Sequence, residues 1–194
     1  MQLIDLSVYL EDNPKAEPFP MELKPFEPHT EAAKFMAERL GLKPTDFNDG
    51  MIMTAEDFVG QFHCGTHIDA PIHFGPMTAG KPSRSIDELP MEWFFQDGVR
   101  LDMRHIEKKG LITEKDIKDA LEAIDYKLKP LDIVLIWTDY DKLRYTDEYL
   151  TTQPGMTREG TEYLLDCGVK VIGVDMYGFD RSFGVVAEAF KKGE

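Results

Sequence analysis

The sequence predicts an α/β fold, and three observations carry that expectation. Short apolar runs at "GVRLDM" (98–103), "IVLIW" and "VKVIGVD" (169–175) have the length and β-branched content of strands. Two amphipathic stretches, "TEKDIKDALEAI" and "MTREGTEYLLDCG", stand between them. Strands that alternate with helices in this way build an α/β domain. No internal repeat or linker interrupts the 194 residues, so a single domain over 1–194 is expected.

The elements follow in order. "QLIDLSVYL" alternates loosely and predicts a first strand. "EDNPKAEPFPMELKPFEP" is proline-rich and predicts an extended, irregular loop. A helix is predicted from Thr30 through "EAAKFMAERL", closed by Gly41. "GMIMTAEDFVGQF" has the content of a strand or hairpin. "PIHFGPMTAGKPSRS" predicts a loop able to cover a site. Thr113, with Asp116 three residues on, predicts a capped helix start. Thr157 does the same for the next helix, which Gly168 closes.

Composition removes several function classes. There are 36 acidic and 22 basic residues, a formal charge of −14, and this surface repels nucleic acid and anionic membrane. Apolar content of 42% is ordinary for a chain that buries a core and argues against disorder. Cys64 and Cys167 form no CxxC pair and no disulfide framework. The opening residues lack a basic stretch followed by an apolar one, and "IVLIW" is far shorter than the roughly 20 residues of a membrane span. A cytoplasmic location is expected.

The chemistry concentrates in "FHCGTHIDAPIHF" (62–74). Every second residue gives His63, Gly65, His67, Asp69, Pro71 and His73, while Cys64, Thr66, Ile68, Ala70 and Ile72 fill the other register. A period of two belongs to an extended chain, and a helix would turn Asp69 well away from His67. In an ideal strand, however, the Cα atoms of His63 and His67 would stand roughly 13 Å apart. Two imidazoles then reach one cation only if the chain bends, and Gly65 permits that bend. The expectation is a kink around Gly65 and Thr66, with Asp69 closing in beside His67 and His73 at the rim. Imidazole and carboxylate ligands suit Zn²⁺, and also Mn²⁺ or Fe²⁺. Three protein ligands leave an open position where a water can be activated, and His73 is placed for proton transfer. Metal-assisted hydrolysis of an amide or a related carbonyl compound is the chemistry implied.

Other residues carry bland readings. His29 and His105 stand alone and are expected to be structural. Cys64 is expected in the core rather than as a nucleophile, and Phe62 and Phe74 are expected to pack in the core rather than on a substrate. Asp175, Tyr177, Asp180 and Arg181 follow the last strand, where α/β sheets often border ligands. A structural ion pair explains Asp180 and Arg181 equally well.

"HCGTHIDAPIH" resembles the HxGTHxDxPxH signature of the cyclase family, which includes bacterial kynurenine formamidases and isatin hydrolase. "LIDLS", "GVRLDMR", "LKPLDIVLIWTD" and "PGMTREGTEYLLDCGVKVIGVDMYGFDRSF" resemble that family's order of blocks, so the likeness covers most of the chain. The resemblance implies a swivelling β/β/α fold, a homodimer or homotetramer, and hydrolysis of formamides or cyclic amides. It implies metal binding by His63, His67 and Asp69, with Asp69 able to bridge two ions, and proton transfer by His73. The cofactor implied is one or two divalent ions, Zn²⁺ first and Mn²⁺ second. Family members usually add a later histidine and glutamate to the metal site. Here no histidine follows His105, and Glu188 and Glu194 read as solvated, as if the C-terminal segment were absent.

Three functions are therefore weighed. The first is a metal-dependent amidohydrolase acting on a small molecule. The second is a catalytically incomplete metal- or ligand-binding member of the same family. The third is a partner-dependent fragment. Substrate-binding residues are unknown from sequence.

Overall fold

A computed structural model describes residues 3–19, 21–24 and 28–193. The chain divides into two compact units, Met1–His67 and Ile68–Glu194.

In the first unit a short strand β1 (Glu22–Lys24) precedes helix α1 (His29–Leu40) and strand β2 (Asp57–Val59). β1 and β2 pair antiparallel with Leu23 opposite Phe58. α1 buries Ala33 and Ala37, four residues apart and so on one face. It stops at Gly41, whose φ of +67° only glycine adopts freely. The Gly41 and Leu42 N–H groups donate to the Glu38 and Ala37 carbonyls, satisfying the helix end. The predicted helix and its stop are thus present.

Two expectations fail in this unit. "QLIDLSVYL" is not a strand: residues 3–10 carry no ladder, and Leu3 is 76% exposed and Tyr9 87% exposed. Gln2 lies outside the described residues. Alternation makes a strand only where another strand's edge takes up the backbone. Here the Ser7 N–H donates to Asp5 Oδ1 and the Val8 N–H to Thr66 Oγ1 instead. The proline-rich stretch, in turn, is not wholly irregular, because it contains β1. Pro20, Pro25, Phe26 and Glu27 of that stretch lie outside the described residues.

The second unit opens with one helical turn, α2 (Pro71–Phe74), and a hairpin of β3 (Met77–Thr78) and β4 (Lys81–Pro82). Ala79 and Gly80 at the hairpin tip both have positive φ, the geometry that matches strand twist. So the expected loop at 71–85 is partly ordered. Then follow β5 (Gly98–Asp102), β6 (Leu111–Ile112), α3 (Glu114–Ala123), β7 (Ile133–Trp137), β8 (Gly155–Met156), α4 (Arg158–Asp166), β9 (Val171–Val174) and α5 (Phe183–Lys192). β5, β7 and β9 form a parallel sheet in that order, and β6 pairs parallel with β8. The predicted strand and helix alternation of this half is observed.

The caps act as the sequence implies. The Asp116 N–H donates to Thr113 Oγ1 while the Thr113 N–H donates to Asp116 Oδ2 at 2.8 Å. Thr157 Oγ1 accepts the Gly160 N–H at 3.1 Å. The core of this unit joins sheet and helices through Leu101, Ile117, Val134, Ile136 and Leu164, all essentially inaccessible. Each such side chain contributes about 1.5–3 kcal/mol by burial. α5 differs: it buries no residue, and Phe183, Val186 and Phe190 form an exposed stripe. Glu188 is exposed on this helix, as expected, and Glu194 lies outside the described residues.

The two environments separate in a stability measurement. Leu164→Ala is expected to cost about 2–5 kcal/mol in urea unfolding, because it empties a filled core. Phe190→Ala, on a side chain 82% exposed, is expected to stay within about 0.5 kcal/mol.

Candidate metal centre

β2 ends at Val59 and α2 begins at Pro71, so residues 60–70 run between them without helix or strand. Residues 62–66 bend continuously, and Gly65 has a φ of +57°. The bend brings the His63 and His67 rings to a centroid distance of 5.3 Å, edge to face at 81°. One ligand atom from each of His63, His67 and Asp69 lies within 4.8 Å of the others. Ligands on one tetrahedral zinc stand about 3.3 Å apart, so small side-chain rotations close this group onto a cation. Two imidazoles and a carboxylate are also the right donor chemistry for Zn²⁺ or Mn²⁺.

Hydrogen bonding sets the tautomer. The His67 Nδ1 lies 3.1 Å from the Gly65 carbonyl, which can only accept, so Nδ1–H is the donor. Nε2 then carries the lone pair, the usual arrangement of a metal-binding histidine. The loop is held from both sides. The Gly65 N–H donates to Glu17 Oε1 at 3.0 Å, and Thr66 Oγ1 accepts the Val8 N–H at 3.0 Å. Glu17 and Val8 are invisible in the sequence, because nothing in the local pattern ties Glu17 to Gly65, 48 positions on, or Val8 to Thr66, 58 positions on.

His73 is not part of the three-residue group. It sits in α2, its N–H donating to the Ala70 carbonyl and its ring packed edge to face on Phe74 at 5.2 Å. The extended register therefore ends at Pro71, whose fixed φ suits the first position of a helix. Phe62 and Phe74 do not pack in the core: they are 89% and 72% exposed. The bend at Gly65 and the helical turn at Pro71 break the alternation that would have buried one register. Cys64 is half-buried, and burial first, then the Glu17 carboxylate, pushes its thiol up.

The residues after β9 serve the fold. The Asp175 carboxylate accepts the Thr138 N–H, the Thr138 hydroxyl and the Asp139 N–H, tying the end of β9 to the end of β7. Burial pushes this carboxyl up, against those hydrogen bonds. Asp180 and Arg181 press their backbone on Gly155, where an added Cβ would lie 2.2 Å from the Arg181 nitrogen. Gln153 Nε2 fastens the same segment by donating to the Gly178 and Asp180 carbonyls. His105 is not alone: it lies 3.4 Å from Asp116, the carboxylate of the α3 cap. Both line an open depression of about 610 Å³ with Asp102, Arg104, Asp119 and Asp139, which includes none of the histidine-segment residues. In it Arg104 hydrogen-bonds Asp102 through two nitrogens and stacks on Trp137, its Cζ 3.7 Å from the ring centroid.

The cyclase family, described as "Putative cyclase", matches residues 4–181. An uncharacterized protein of Haemophilus influenzae is 30% identical over 141 residues, covering 70% of this chain and 91% of its own. Isatin hydrolase A from Labrenzia aggregata, solved with benzyl benzoate, superposes with a TM-score of 0.68 at 21% identity over 93% of this chain and 70% of its own. A further isatin hydrolase, bound to the product analogue thioisatinate, gives a TM-score of 0.58 at 25% identity, covering 70% of this chain and 55% of that chain. The present chain thus spans about half the length of that enzyme. The mixed α/β architecture with its parallel sheet is the fold of these cyclase-family structures.

Two measurements follow from the local physics. Gly65→Ala forces an ordinary residue into the left-handed region and is expected to cost about 1–2 kcal/mol of stability. Gly65→Asn, which tolerates that region, is expected to recover part of the loss in the same urea titration. Asp102 is held down to about 2 from its usual 3.8, first by the Arg104 hydrogen bond, against the pull of burial. Its contribution is therefore present above 3.8 and lost as pH falls through about 2. At pH 3, carbon NMR is expected to find Asp102 ionised in the wild-type chain and mostly protonated in Arg104→Ala.

Proposed function

The chain belongs to the cyclase family, and from that premise we propose that it is a metal-dependent hydrolase cleaving the C–N bond of a small amide, formamide or cyclic amide. The observation that carries the proposal is the convergence of His63, His67 and Asp69 on one bend. Isatin itself is a cyclic amide, so the similarity to isatin hydrolases supports a substrate with an activated amide carbonyl.

His63, His67 and Asp69 would hold a divalent cation, with Zn²⁺ the first expectation and Mn²⁺ the second. When bound, the cation supplies Lewis-acid chemistry, polarising the carbonyl and acidifying a water. The protein's part is orientation and proton movement. His67 presents Nε2 because its Nδ1–H is committed to the Gly65 carbonyl. Asp69 contributes the negative charge that offsets the cation's. His73 takes the proton from the attacking water and returns it to the departing nitrogen, the two-way transfer to which imidazole is suited. Phe62 and Phe74 are exposed aromatic side chains flanking the motif in sequence, each available to an apolar group. Assembly as a homodimer or homotetramer and a cytoplasmic location belong to the same proposal. Among the described residues no helix is long and apolar enough to cross a membrane.

The test is metal content by plasma mass spectrometry, followed by turnover of isatin and an aryl formamide. One to two equivalents of zinc or manganese are expected in the wild-type chain and a large loss in Asp69→Ala. His73→Ala is expected to keep the metal and lose turnover by about 10²–10⁴-fold. Full turnover in that variant would remove His73 from the mechanism. Metal binding with no turnover of either substrate by the wild-type chain would favour the ligand-binding reading over the hydrolase.

A further inference from the structure

The bend that gathers the ligands lies in a stretch with no helix or strand of its own, so something outside it must hold its shape. Two peptide planes meet at Gly65, and each is fixed by one polar contact. The carbonyl side accepts the His67 Nδ1–H. The amide side donates to Glu17 Oε1 at 3.0 Å, across 48 positions of sequence. All of these residues belong to the same compact unit.

Glu17 is itself firmly presented. It closes a tight turn in which the Ala16 and Glu17 N–H groups both donate to the Asn13 carbonyl, at 3.0 and 2.8 Å. The Lys15 N–H donates to Asn13 Oδ1 at 3.1 Å. Asn13 and Ala16 are buried, so the turn is anchored in the unit's interior.

We infer that Glu17 is a positioning residue for the metal centre: its carboxylate locks the left-handed turn at Gly65 and so sets the spacing of His63 and His67. The inference rests on the reading of His63, His67 and Asp69 as metal ligands. Glu17 acts through Gly65, leaving the ligand set unchanged. Its role is that of an acceptor at one fixed reach, which makes the three obvious replacements unequal. Glutamine keeps an oxygen at the same distance, aspartate keeps the charge but falls one methylene short, and alanine keeps neither.

The experiment titrates cobalt(II) into the chelator-stripped full chain and follows the visible absorption of the complex. In parallel, the Gly65 amide proton is observed by NMR without metal. Glu17→Ala and Glu17→Asp are expected to weaken cobalt binding by about 10- to 100-fold and to move the Gly65 amide proton upfield, with Glu17→Gln close to wild type in affinity. Circular dichroism checks that each variant is folded. If Glu17→Ala fails to fold, the contrast between the glutamine and aspartate variants decides. Wild-type affinity in Glu17→Ala or Glu17→Asp would overturn the inference, and so would a glutamine variant as weak as aspartate. If the wild-type chain binds no cobalt while its Gly65 amide still responds to Glu17→Ala, the metal reading fails first and this inference falls with it.

Discussion

Parallel strands cannot be closed by tight turns, and β5, β7 and β9 run parallel. Each connection must therefore cross the sheet, and most of the second unit is the consequence of that requirement. α3 and α4 are the crossings, and both begin where a threonine side chain takes up a helix-end N–H. Their inward side chains, Ile117 and Leu164, meet Leu101, Val134 and Ile136 from the sheet. The strand ends need a tie of their own, which Asp175 supplies by accepting both backbone N–H groups of Thr138 and Asp139. Its position at the end of a parallel strand resembles that of a ligand-binding residue, yet its hydrogen bonds are spent on the fold.

The candidate metal centre obeys a different logic. Its residues come from one short stretch, so long-range topology has little to arrange; what matters is a single reversal of the chain. Gly65 supplies the conformational freedom for it, and contacts from Val8 and Glu17 remove that freedom again. Freedom in the isolated residue and restraint in the folded unit together make the geometry specific.

This division explains what could be read from the sequence. α3, α4 and the three parallel strands were legible because caps, periodicity and strand length are local signals. The bend at Gly65 was legible too, since the spacing of two histidines demands it. The failures have different causes. "LIDLS" alternates like a strand, but no local signal says whether a neighbouring edge will receive it. β1 is only three residues long, too short to register in a proline-rich stretch. The period-two pattern implies an extended chain through Pro71, whereas that residue starts a helical turn. Phe62 and Phe74 looked like core because the alternation was carried through two breaks. Glu17 was invisible for the opposite reason: its meaning lies entirely in a contact distant along the chain.

The exposed stripe of α5 bears on the chain's behaviour as a colloid. Phe183, Val186 and Phe190 face outward on a molecule whose formal charge is −14. At low ionic strength that charge keeps copies apart before their apolar faces can touch. Salt shortens the repulsion to about 10 Å at 0.1 M while leaving apolar attraction intact. The molecule's dispersion is thus tied to the electrolyte around it, with the helix as the sticky element and the acidic surface as the spacer.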